Sequence, residues 1–190
     1  MNNNNHSSSY LVFAAHLGYF LSTALKYKND AIKIKESDFG KCTPSFHLLS
    51  SLAFELLPKV LLGYDICIKH KDNKEIKEEE ILKEIYKEFK KYGHDIKKLY
   101  LNFPDLLRYL NVDSILCFKN EYVWEYRVNL NNNDKYVAIK DIEAIRYGSF
   151  AANKDVSTFC VNDDILIDLL EKIDEYIKKK NIETNEKLKR

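Results

Sequence analysis

Between residues 43 and 62 the chain reads TPSFHLLSSLAFELLPKVLL, and no other stretch limits its folding so tightly. Phe46, Leu49, Leu52, Ala53, Leu56, Val60 and Leu61 recur at the 3.6-residue period of an α-helix. Thr43 supplies an N-cap hydroxyl, and Pro44 suits a first turn whose N–H groups have no intrahelical acceptor. Leu48, Leu57 and Leu62 spread the apolar stripe around most of the circumference, so this helix has to be covered on most sides. Pro58 lies inside it. Its missing N–H leaves the carbonyl of Phe54 without an intrahelical donor, and its ring pushes that carbonyl aside, so a kink is expected near residues 54–58.

A central apolar helix needs other helices around it. The serines at 7–9 can cap a first helix over about 9–27, preceded by a disordered tail over 1–8. Leu11, Ala14, Ala15, Gly18, Leu21, Ser22 and Leu25 give that helix a small-residue face. Residues 29–44 read as a connector that is mostly loop, with Ile32 and Ile34 alternating as in a short strand. A further helix fits 78–92, with Ile81, Leu82, Ile85, Phe89 and Tyr92 on its buried stripe. Gly93 is a natural stop, Asp95 a cap for a short helix over 96–102, and Pro104 the start of another. Asn162 or Asp163 caps a last helix to about Lys180, built on Ile165, Leu166, Leu169, Leu170, Ile173 and Ile177. Its aspartates at the start and lysines at the end match the helix dipole, and 181–190 reads as a charged tail. Residues 111–140 are ambiguous. The run EYVWEYRVNL at 121–130 alternates in part and suits either a helix or an extended arm. The expectation is an all-α, up-and-down helical bundle over 9–180, with a short extended segment near 121–140 as the exception.

Charge and composition narrow the function. The 190 residues hold 30 Lys+Arg against 29 Asp+Glu, a net charge of +1, which excludes a uniformly basic coat for nucleic acid but allows a local basic patch. Five Gly and three Pro leave little for a glycine-rich phosphate loop or a turn-rich sandwich. The cysteines at 42, 67, 117 and 160 form no C-x-x-C pair, so they read as reduced, mostly buried hydrophobes. Histidines at 6, 16, 47, 70 and 94 show no i,i+4 spacing, and neither metal nor cofactor is expected. The apolar run Tyr10–Leu25 is shorter than the roughly 20 residues that cross a bilayer. No basic n-region precedes it, so a cytoplasmic protein without a membrane anchor is expected.

Three polar segments remain. Glu55 and Lys59 stand i,i+4 on the apolar helix, either as a surface pair worth about 0.3–0.5 kcal/mol or lining a cleft. Gly93-His-Asp-Ile-Lys-Lys-Leu99 reads as a helix stop and a helix start, which leaves His94 over. Arg146-Tyr147 follows Ala144-Ile145, where the guanidinium can serve a helix C-terminus or reach a phosphate or a carboxylate such as Glu55.

These segments, in this order, resemble the HEPN family of small helical proteins from prokaryotic toxin–antitoxin and defence systems, over roughly residues 43–180. The resemblance implies an up-and-down bundle, often a homodimer, with a polar site near its centre or dimer cleft. Many members are metal-independent ribonucleases marked by an Arg followed after four to six residues by His. Here Arg108, Arg127 and Arg146 lack that His, and the six residues that follow Arg146 lead to Asn153, which shuttles no proton. The resemblance thus implies nucleotide or RNA binding without nuclease activity, through a cleft holding Glu55, Lys59, Arg146, Tyr147 and Asn153. Arg146 would take the phosphate, Lys59 would add charge and Tyr147 would stack on a base. Two alternatives stand beside it. One is a divergent metal-independent ribonuclease using His94. The other is a dimerisation or protein-interaction module in which Arg146 and Glu55 only tie helices together and 121–128, with Trp124, meets a partner.

Overall fold

The computed structural model describes residues 7–37, 43–119, 124–131, 136–140 and 163–190. It is mainly helical, with one small antiparallel sheet. In chain order come α1 (Ser8–Leu11), a π-helical segment (Val12–Leu17) and α2 (Gly18–Ser37). Then follow α3 (Pro44–Lys69), α4 (Glu78–Tyr92), α5 (Ile96–Tyr100) and α6 (Pro104–Tyr109). Strands β1 (Val112–Lys119), β2 (Trp124–Leu130) and β3 (Tyr136–Lys140) precede α7 (Asp163–Lys189).

Helix α3 is the axis, as its all-round apolar surface requires. Phe46, Ala53, Phe54, Leu57, Val60 and Cys67 are fully buried on it. It packs against α2, α4, α7 and β3. Thr43 caps it, its hydroxyl accepting from the Phe46 N–H at 3.2 Å. Pro58 sits inside the helix, and the carbonyl it deprives of a donor is not left bare. The hydroxyl of Tyr100, on α5, donates to the Phe54 carbonyl at 2.8 Å, and the Tyr100 ring stacks on Phe54 with centroids 4.5 Å apart. A buried polar atom that loses its partner costs about 1–3 kcal/mol, so this hydroxyl removes the main penalty of the proline.

The first helical stretch departs from the sequence expectation in three ways. It begins at Ser8, capped by Ser7, so Ser8 belongs to a helix rather than to a tail. It continues to Ser37, taking in Ile32 and Ile34, which belong to neither a loop nor a strand. Its buried face is Ser9, Val12, Phe13, Leu17, Ala24, Lys28 and Ala31, while Ala14, Ala15 and Ser22 are exposed. The period is helical but the phase is wrong by about one residue, because the π-segment widens a turn and the larger side chains take the inside. Close approach comes from the other helix. A Cβ on Gly63 would stand 2.5 Å from Leu17 Cδ2, so any larger residue there makes the Leu17 side chain shift from its seat on α3.

The described part of the ambiguous region forms a sheet of order β1-β2-β3, so the mainly helical expectation holds, with more extended chain than the short segment expected near 121–140. Val128 pairs with Ile115 and Val137, and Tyr126 with Cys117 and Ile139. Ile115, Tyr126, Val128, Val137 and Ile139 are buried on one face. On the other, Arg127 pairs with Glu125 at 2.8 Å and lies 4.3 Å over the Phe118 ring. Strand β3 lies against α3 and α7. Helix α7 runs to Lys189, so residues 181–189 form helix and not a tail. Thr184 is buried there, which is why the helix does not stop at Lys180. Among the cysteines described, Cys67 is buried, its thiol pushed up to about 12 by burial, while Cys117 is exposed. No helix among the described residues is long and apolar enough to cross a membrane.

Candidate functional site

The glycine at 93 makes the site. It ends α4 with φ +52 and ψ −123, a conformation that side chains resist. Two residues later the Asp95 carboxylate accepts from the Lys98 N–H at 2.9 Å and starts α5. The chain therefore reverses between two helix ends, and the reversal carries its carbonyl and the His94 ring onto the flank of α3.

Glu55 and Lys59 wait there. They are one helical turn apart on α3, and both are buried, with side chains 4% and 7% exposed. The Lys59 Nζ donates to Glu55 Oε1 at 2.5 Å and to the Gly93 carbonyl at 2.7 Å. The second carboxylate oxygen, Oε2, lies 2.8 Å from His94 Nδ1. The His94 side chain is 46% exposed. From β2, the Tyr126 hydroxyl donates to the His94 carbonyl at 3.3 Å and ties the sheet to the same turn.

Three of the residues singled out from sequence thus converge: Glu55, Lys59 and His94. The Glu55–Lys59 pair is a buried pair and not a surface one, which favours the cleft reading of that segment. Arg146, Tyr147 and Asn153 lie outside the described residues. Trp124 opens β2 and so belongs to the sheet. Two members were missed. The Gly93 carbonyl has no side-chain signal. Tyr126 lies in the stretch left open between helix and arm, and reading its alternation as a strand would have placed it on the inner face beside Val128.

The chemistry of the arrangement follows from the carboxylate. An oxygen of Glu55 can only accept, so Nδ1 of His94 carries the proton and the ring is fixed in one tautomer. Among the described residues Nε2 has no hydrogen-bond partner. It is free to accept when the imidazole is neutral and to donate when it is charged. A buried acid, an oriented imidazole and an adjacent ammonium form a unit that can hold an anion or move a proton. No group of three or more His, Cys, Asp or Glu side chains among the described residues is arranged to hold a metal. No family model matches the chain, and neither a curated protein nor a solved structure is significantly similar to it.

Proposed function

We propose that this chain is a HEPN-like helical protein that binds a nucleotide or RNA, as a cytoplasmic homodimer in a toxin–antitoxin or defence system. One observation carries the reading. The half-exposed His94 ring is held by a buried carboxylate at 2.8 Å, with its Nε2 unpaired among the described residues and the Lys59 ammonium beside the same carboxylate. Such a nitrogen offers a directed contact to a phosphate oxygen, and the fixed ring loses little rotational freedom on binding. Arg146 supplies the second, bidentate phosphate contact, Tyr147 a stacking surface, and Asn153 a neutral hydrogen-bonding group. Glu55 orients rather than binds, since both of its oxygens are engaged. The bundle architecture of that family suits a central α3 flanked by α2, α4 and α7.

Fluorescence anisotropy of a labelled oligoribonucleotide at low ionic strength tests it, because phosphate contacts weaken as salt rises. The wild type binds, Arg146→Ala abolishes binding, and His94→Ala weakens it about tenfold, a loss of about 1.4 kcal/mol. No binding by the wild type at low salt overturns the proposal.

The Glu55–His94 hydrogen bond also favours a second reading, in which His94 acts as general acid or base in metal-independent RNA cleavage. A carboxylate on Nδ1 is how an imidazole is oriented for that work. Cleavage that persists with chelator and disappears in His94→Ala supports this reading. Intact RNA after prolonged incubation with the wild type excludes it.

A further inference from the structure

A cavity of about 260 Å³, lined by none of Glu55, Lys59 and His94, opens between the end of α3, the turn from α5 to α6 and the last turns of α7. Its volume lies below the roughly 300–1,000 Å³ typical of drug-sized pockets, so its occupant is small. Phe103, Tyr64 and Tyr176 give it aromatic walls.

The polar groups around it sort into spent and unspent. Lys180 pairs with Glu183 at 2.8 Å and Asp105 with Arg108 at 3.2 Å, so these charges are engaged. Asp65 and Lys187 also line the cavity as exposed side chains close enough to attract each other, and neither has a hydrogen bond or ion pair among the described residues. Partial desolvation raises the Asp65 carboxyl above its ordinary range in spite of Lys180 and Lys187 nearby. Thr184, only 3% exposed, also lines it and carries a hydroxyl. Tyr64 accepts from Asn181 Nδ2 at 2.6 Å, so its own O–H is unspent. Burial pushes that phenol up to about 12, which keeps the proton in place at neutral pH.

We propose that this cavity binds a small zwitterion carrying an aromatic or apolar group, of the free α-amino acid class. The ligand ammonium meets Asp65, its carboxylate meets Lys187 and the Tyr64 and Thr184 hydroxyls, and its side chain lies against Phe103 and Tyr176. A nucleotide fits poorly, because three carboxylates (Asp65, Asp105, Glu183) outnumber two ammoniums (Lys180, Lys187) around the opening. The site is separate from the His94 turn, so it stands or falls without the RNA-binding proposal.

Titration calorimetry and amide chemical-shift mapping of the full chain with L-phenylalanine test it, with phenethylamine and 3-phenylpropionate as ligands bearing one charge each. Expected are saturable binding of the amino acid, shifts confined to 61–68, 102–105 and 176–187, and binding at least tenfold weaker for either analogue. Asp65→Asn and the isosteric Thr184→Val each weaken binding at least fivefold, while His94→Ala leaves it unchanged. No saturation by about 20 mM amino acid, in the millimolar range expected of a weak small ligand, overturns the proposal. So does an analogue that binds as tightly as the amino acid, or undiminished affinity in both variants.

Discussion

Two lysine–carboxylate pairs lie in the helical core, and they end differently. Lys28 on α2 meets Asp174 on α7 at 2.5 Å, with side chains 10% and 7% exposed. Lys59 meets Glu55 at the same distance within α3, and is buried to the same degree. In the first pair Lys178 adds a second contact at 3.0 Å to the same oxygen, Asp174 Oδ2, while Oδ1 is buried without a partner among the described residues. That carboxylate meets only ammonium groups, the buried one of Lys28 and the exposed one of Lys178, and it joins two helices. In the second pair the carboxylate divides its oxygens between the buried Lys59 and the half-exposed His94. That charge reaches the surface through an imidazole. Burial of an ion pair says little about its use. What its spare oxygen holds says more.

The largest expected effect belongs to the closed pair. Lys28→Met strands a buried carboxylate, a change that costs 3–5 kcal/mol where no partner remains. Lys178 still reaches Asp174, so about 3 kcal/mol is expected, a fall in Tm of roughly 6–12 °C in a chain of this size. The double variant Lys28→Met, Asp174→Leu should recover most of it, since an apolar pair of similar volume needs no desolvation of charge. A double variant as unstable as the single one would mean that the pair specifies the packing of α2 on α7. Next in size is Glu55→Gln, which leaves Lys59 its bond to the Gly93 carbonyl and an amide oxygen in place of a carboxylate. About 2 kcal/mol by urea unfolding is expected.

The closed pair was illegible in the sequence, while the open one was half visible. Nothing local marks Lys28 and Asp174 as partners. They lie 146 positions apart, and each looks like an ordinary polar residue on an amphipathic helix. Glu55 and Lys59 stood out because two charges interrupt an apolar surface one turn apart. Their link to His94 was invisible, since it depends on how the Gly93 turn docks on α3. Pro58 shows the same limit from the other side. Its unpaired Phe54 carbonyl could be named from local rules, but the hydroxyl that satisfies it comes from Tyr100, 46 positions away. Helix boundaries followed caps where caps existed, at Thr43, Gly93 and Asp95. They went astray at residues 28–37 and 181–189, where long-range burial of Ala31 and Thr184 holds polar sequence in helix. The sheet was missed as a sheet because strand pairing is a non-local choice, and short runs rich in tyrosine and valine suit more than one local structure.

The smallest stability effect is the most informative about the open pair. In His94→Ala the buried Glu55 keeps Lys59, Lys59 keeps the Gly93 carbonyl, and the Asp95 cap of α5 is untouched. What is lost is one hydrogen bond to Glu55 Oε2 and the packing of a ring that is already 46% exposed. A net hydrogen bond is worth about 0.5–1.5 kcal/mol, and solvent can enter where the ring stood, so about 1 kcal/mol or less is expected. Urea unfolding of the two variants side by side decides the matter. If His94→Ala costs as much as Lys28→Met, the imidazole is a plug that the α4–α5 turn needs, and the open pair is a structural staple like the closed one. If it costs a third as much or less while oligoribonucleotide affinity falls tenfold, the core holds Glu55 in order to hold His94, and the ring serves what lies outside.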